Sequence, residues 1–219
     1  DNGEEFEVVF VNTNRYYTVD KQGDIIDEGK IIVDKSPGDI TKDENGNELT
    51  GDTENDAYQI NCIEDLVAFS KEVNSGKTYQ NKYICLMQDL NFCSNYSYTD
   101  FETTKYDVYL GGDGNTGIKE QLSNKGTGFK SIGSGSTTIQ FRGNFNGNGN
   151  KIKNIYIHNI GFFGYIDNAT IKNVTIQGYI QTDSSTGGIV SSATSSYIYN
   201  CYNQITVTRT KCWWNMLQC

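Results

Sequence analysis

The chain has 219 residues and a mass of 24.5 kDa, enough to bury a sizeable core in one large domain or two small ones. Lys and Arg number 18 against 27 Asp and Glu, a net charge of −9 with a pI near 4.6. A nucleic-acid backbone repels such a chain, so no nucleic-acid partner is expected. A single His, His158, rules out multi-His metal sites and leaves a Ser-His-Asp triad one possible centre. No apolar run approaches the roughly 18–20 residues of a membrane span.

Charge divides the chain into three regions. Residues 1–65 hold 18 acidic and 5 basic side chains, residues 66–140 hold 7 of each, and residues 141–219 hold only Asp167 and Asp183 against six Lys and Arg. In the first, residues 1–34 read as a β-hairpin region. Phe6–Val11 and Arg15–Val19 are rich in β-branched and aromatic residues and are separated by Asn12-Thr13-Asn14. Residues 35–56 are acidic and nearly devoid of large apolar side chains, the composition of a linker. Within them Asp43–Glu48 resembles a calcium loop only faintly, because its Gly is misplaced for an EF-hand, and a solvated turn is expected.

At residue 57 the pattern changes. Tyr58-Gln59-Ile60 alternates like a strand, and Asn61 with Glu64 approximates a capping box. Ile63, Leu66, Val67 and Val73 then share one helical face, and Asn74-Ser75-Gly76 stops the helix, which is expected over 61–75. Tyr83–Met87 is a compact strand, and residues 93–128, polar and without period, read as a long surface excursion. Of six cysteines, Cys62, Cys85 and Cys201 lie in apolar stretches. No C-x-x-C pair exists, so buried free thiols are favoured over three disulfides.

From 141 onward the sequence repeats. Ile152-Lys153-Asn154-Ile155-Tyr156-Ile157 matches Ile171-Lys172-Asn173-Val174-Thr175-Ile176 and then Ile198-Tyr199-Asn200-Cys201-Tyr202, with Asn spacings of 19 and 27. Gly161-Phe162-Phe163-Gly164 and Gly187-Gly188-Ile189-Val190, 26 apart, are interleaved with these. Units of short strands with one apolar stripe cannot bury it alone. Stacking them with parallel strands buries the stripe and pairs each backbone edge with the next rung. The fold expected is therefore all-β, a short parallel β-helix capped by one α-helix; a β-sandwich with coincidentally similar strands is the alternative. Ile152/Ile171/Ile198 and Ile155/Val174/Cys201 are the expected inward columns. Asn suits the bends, since it tolerates left-handed φ and its amides can pair along the coil.

The stretch Tyr58–Leu90, the run Phe141–Gly149 (FRGNFNGNG) and Gly161–Gly164 together resemble bacterial GLUG-motif surface proteins. The resemblance covers about 57–210. It implies a right-handed parallel β-helix on a secreted or surface-anchored protein and brings no catalytic residues with it. Residues 1–34 more weakly resemble the tail of prepilin-like proteins of Gram-positive gut bacteria, which implies a hydrophobic pilin helix, and so a membrane or pilus anchor, upstream of Asp1.

Parallel β-helices also host polysaccharide lyases and hydrolases, whose chemistry needs clustered carboxylates. Asp167 and Asp183 are less than one coil apart and cannot stack. No motif singles out Asp89, Asp100 or Asp107, and His158 has no acid at a suggestive spacing. No catalytic residue, metal or cofactor is expected. The expected role is a binding or adhesion module outside the cell or at its surface, with glycans or host or bacterial surface molecules as partners. A carbohydrate-active enzyme with its site in 93–128, or a spacer without ligand, are the alternatives. The expected ligand strip has Lys153, Lys172 and Tyr199 in one outward column and Tyr156, Thr175 and Tyr202 in the next. Finally, Trp213–Leu217 stands where another Gly-Gly-Ile-Val element is due. Either a shifted reading frame or a native aromatic cap accounts for it, with 212–219 expected to cover the end of the coil.

Overall fold

The computed structural model describes residues 38–92, 128–134 and 138–209, together with the backbone of five strands outside those ranges. Strands β1 (Glu7–Phe10), β2 (Tyr16–Val19) and β3 (Ile25–Asp27) form an antiparallel meander, as their β-branched and aromatic composition leads one to expect. The coil begins with β4 (Tyr58–Ile60), the helix α1 (Ile63–Asn74), β5 (Tyr83–Leu86) and β6 (Leu90–Asn91). Between β6 and the next coil strand, β7 (Ser97–Thr99) and β8 (Asp107–Tyr109) pair antiparallel. The coil then runs through β9 (Asn144–Asn146), β10 (Lys151–His158), β11 (Phe163–Asp167), β12 (Thr170–Lys172), β13 (Thr175–Thr182), β14 (Val190–Thr194), β15 (Tyr197–Tyr199) and β16 (Tyr202–Arg209).

These strands make a parallel β-helix with three faces. The first face stacks β4, β5, β9, β12 and β15; the second stacks β6, β10, β13 and β16; the third pairs β11 with β14. Isolated parallel bridges from Ile132 to Phe163 and from Phe141 to Ile166 extend the third face. On the first face Asn144 lies beside Thr170 and Thr170 beside Tyr197, so one turn takes 26 and then 27 residues. Apolar residues of successive turns stand in register in the inward columns. Ile84, Phe145, Ile171 and Ile198 stand in register on the first face. Ile157, Ile180 and Val207 do so on the second. Phenylalanines fill the axis: Phe163 meets Phe141, Phe145 and Phe162 with ring centroids 5.5, 5.4 and 5.1 Å apart. All four are buried, each removing from water surface worth about 1.5–3 kcal/mol.

The repeat was legible but its first member was misplaced. Ile171 does stack with Ile198, and Cys201 follows one turn above the buried Val174, with Tyr202 N–H donating to Val174 O at 2.9 Å. Ile152 and Ile155, however, belong to β10 on the second face, where they pair with Ile176 and Gly178. The 19-residue spacing therefore joined two different faces. The true predecessor of Ile171 is Phe145, hidden because an aromatic fills the place of an aliphatic and Gly-Asn-Gly follows it.

Asn occupies the corners, as left-handed backbone requires. Asn154, Asn173 and Asn200 have φ of 57°, 56° and 52°. Asn200 donates to Asn173 Oδ1 at 3.3 Å and Asn173 to Asn146 Oδ1 at 3.0 Å, each one 27-residue turn away. Asn154 makes a separate pair, donating to Asn91 Oδ1 at 2.8 Å.

Helix α1 lies across the first end of the coil, with Phe69 fully buried against Tyr79, Phe141 and Phe145. Its cap differs from the expected box. Cys62 is the N-cap and makes no side-chain cap bond. Asp65 does the work instead, accepting from Asn61 N–H at 2.8 Å and from Gly38 N–H at 2.9 Å. The second bond ties down residues whose composition reads as linker. Within 38–56, Ile40 is buried and its carbonyl accepts from Gln59 N–H, while Lys42 bridges Glu48 around an Asp43-centred turn. A buried isoleucine, a buried aspartate, the Tyr83 N–H bond to Gly51 O and the Lys82–Asp52 ion pair hold this acidic stretch to the coil, too sparse a signal for composition to register.

The pairing of β10 with β13 shifts register between Ile152 and Ile155, and Gly178 faces that irregularity. A Cβ at Gly178 would lie 2.0 Å from Ile155 O, which is backbone and cannot step aside. Gly178→Ala should therefore lower unfolding stability by about 1–3 kcal/mol, as overpacking does. Urea denaturation followed by circular dichroism checks this, and an unchanged midpoint would mean that the bulge is soft.

Candidate ligand-binding face

Outward positions on the first face form two columns. Tyr83, Asn144, Thr170 and Tyr197 make one; Gln59, Cys85, Asn146, Lys172 and Tyr199 make the other. Around the asparagine corner, Thr175 and Tyr202 are in register on the second face. Of the six residues expected to form a ligand strip, the structure brings together Lys172 with Tyr199 and Thr175 with Tyr202. Lys153 leaves the column of Lys172 and Tyr199 because β10 belongs to the second face, and Tyr156, on the same face as Thr175 and Tyr202, stands further along the strand, since Thr175 is in register with Lys151. Lys153 pairs with Asn91 in register, and its Nζ lies 2.7 Å from Asp89 Oδ2. Tyr156 is buried, in register with Tyr179, and donates its hydroxyl to Gln181 Oε1 at 2.8 Å.

What remains is an aromatic corner on the last turn. Tyr197 and Tyr202 are 72% and 69% exposed and Tyr199 is 46% exposed. Tyr197 went unnoticed in the sequence, although period-two alternation from Tyr199 points straight to it. Lys172, one rung below Tyr199, is less available than expected: its ammonium contacts Glu54, which raises its pKa and neutralises its charge locally. The acidic segment 38–56 thus meets the most prominent lysine of the strip.

No carboxylate pair or poised nucleophile accompanies this corner among the described residues. Asp167 is engaged by Arg142 at 2.7 Å, and Asp183 is exposed. Asp100 and the side chain of Asp107 lie outside the described residues, as does most of the 93–128 excursion. Burial pushes the Cys62, Cys85 and Cys201 thiols up from their ordinary values, and all three are free. Cys93, Cys212 and Cys219 lie outside the described residues, as do Trp213–Leu217. No group of three or more His, Cys, Asp or Glu able to hold a metal occurs among the described residues, and no described helix is long and apolar enough to cross a membrane. His158, at the end of β10, lines a cleft of about 440 Å³ with Lys130, Ser131, Ser134 and Asn159. The two serine hydroxyls there are engaged, Ser131 donating to Ile160 O and Ser134 to Asn74 Oδ1.

Comparisons with protein-family models, with curated proteins and with solved structures find no match to this chain. The fold itself defines the class, a parallel β-helix.

Asp89 is held below the usual carboxylate range by the Lys153 ammonium and by the Lys151 N–H, which donates to it at 2.8 Å. A carboxylate whose folded pKa is depressed stabilises the fold above its unfolded value and ceases to do so as pH falls through the folded value. Wild type should therefore exceed Asp89→Asn in urea midpoint at about pH 5 and above, and the gap should close on acidification towards about pH 2. A gap that survives there would trace to packing and not to charge.

Proposed function

We propose that this chain is a non-enzymatic binding module that displays a glycan-binding face at the outer surface of a cell. The observation carrying this reading is the corner formed by Tyr197, Tyr199 and Tyr202, exposed on a rigid hydrogen-bonded sheet and not on a loop. Tyrosine faces suit sugar rings, because an apolar C–H face can stack on the ring while the hydroxyl stays in water. Rungs about 4.8 Å apart and side chains two residues apart along a strand provide several such faces for an extended chain of sugars. Because Lys172 is already matched by Glu54, the face favours neutral glycans over uronate-bearing ones. The resemblance to GLUG-motif surface proteins supports the extracellular setting.

A glycan array followed by calorimetric titration tests the reading. Wild type should bind neutral oligosaccharides, and the double variant Tyr199→Ala/Tyr202→Ala should lose at least about tenfold in affinity, about 1.4 kcal/mol, with unchanged melting. Equal binding by both proteins, or none by either, makes these tyrosines ordinary surface.

A further inference from the structure

The proposed glycan face has a neighbour besides its tyrosines. Residues 50–56 close on themselves, with Gly51 N–H donating to Asp56 O at 2.8 Å and the Thr50 hydroxyl donating to the Asp56 carboxylate. This small loop is pinned to the first face. Tyr83 N–H donates to Gly51 O at 2.8 Å, and the Lys82 ammonium lies 2.6 Å from Asp52 Oδ1. Pinning there carries Glu54, the first residue of a short 3-10 turn, onto Lys172, which stands two strands further along the face. The two side chains meet at 2.5 Å. Their exposures decide which of them an incoming ligand encounters: the Lys172 side chain is 16% exposed and that of Glu54 is 56% exposed. The carboxylate lies over the ammonium, so anything approaching the lysine from solvent reaches a negative charge first.

We infer that Glu54 determines which charge class of glycan this face accepts, an assignment that rests on the glycan-binding reading. Its carboxylate stands where that of a uronate would pair with Lys172. Tyr199 is in register with Lys172 on the next strand, and the ammonium is near enough to the Tyr199 and Tyr83 phenols for both to raise its pKa. A sugar stacked on Tyr199, one rung away, therefore brings its ring substituents to the Lys172–Glu54 pair. A neutral hydroxymethyl group neither displaces nor repels the carboxylate. A uronate must sit beside a like charge or break an ion pair already made, and both weaken its binding. Selectivity of this kind comes from a repulsive group built against the wrong ligand. Glu54 is free to serve it. Its carboxylate has Lys172 as its one hydrogen-bond partner among the described residues, and none of the residues of its turn is buried.

An array of matched glycan pairs, each uronate beside its carboxyl-reduced neutral form, tests this, followed by titration of the whole chain with the pairs that bind. The quantity read is the ratio of uronate to neutral affinity. Glu54→Ala should raise it at least about threefold, the scale of one partly exposed ion pair, with melting unchanged. Glu44→Ala removes the same charge from an exposed position of the same acidic segment and should leave the ratio where it is. Adding Lys172→Gln to Glu54→Ala should return the ratio to that of wild type. If wild type binds neutral glycans and Glu54→Ala does not move the ratio, the assignment of Glu54 falls while the glycan-binding reading stands. A rise shared by Glu44→Ala, which is an effect of net charge, or one that survives Lys172→Gln, also overturns the assignment. Binding of neither class by any of these proteins overturns both.

Discussion

A strand of this coil is stable because the chain comes back to the same face and pairs with it, after 26 or 27 residues from β9 to β12 to β15 and after 23 or 24 from β10 to β13. The stacked strands of the coil do not pair within their own turn; their N–H and C=O groups are satisfied by the turn below and the turn above. That condition dictates much else. It demands corners that bend sharply without breaking register, and inward side chains large enough to fill the axis. The left-handed asparagines supply the corners, and Phe141, Phe145, Phe162 and Phe163 supply the filling. Where the register shifts, as between Ile152 and Ile155, a glycine on the next turn absorbs the excess.

Each turn is thus bound mainly to its neighbours, and the two ends become special places. The first end is closed by a helix whose Phe69 takes the place that another turn would occupy. A buried carboxylate, Asp65, gathers the backbone of Gly38 and Asn61 around the start of that helix. The acidic segment 38–56 thereby becomes part of the closure and not a tether, and it reaches as far as Lys172 on the fourth strand of the first face.

Much of this was legible from residues alone. The helix was placed to within two residues at its start and one at its end, and the change to a coil came through in the Ile-Lys-Asn and Gly-Gly-Ile repeats. What failed was assignment of a repeat to a face. Ile152-Lys153-Asn154 and Ile171-Lys172-Asn173 look alike because both are strand residues leading to a left-handed asparagine, and that local demand recurs at more than one corner. Similar spelling therefore marked similar corners, not the same column. The error carried Lys153 and Tyr156 into a ligand strip to which they do not belong, and it concealed Tyr197, which alternation on the correct strand would have named. Ion pairing of Lys172 with Glu54, 118 positions away, had no sequence signal at all.

The direction of the inter-turn hydrogen bonds has a mechanical consequence. They run along the coil axis, so a tensile load applied between the two ends strains the turns in series, and each must carry the full force. The coil would yield by peeling from its last turn, one strand at a time, at low force and over a long extension. A load directed along the strands would shear all the bonds of a pair together and meet much higher resistance. The asparagine ladder adds one further bond per turn at a single corner, joining Asn146, Asn173 and Asn200. Peeling across the first face would therefore stall at that corner, making it the stiff seam of an otherwise compliant spring.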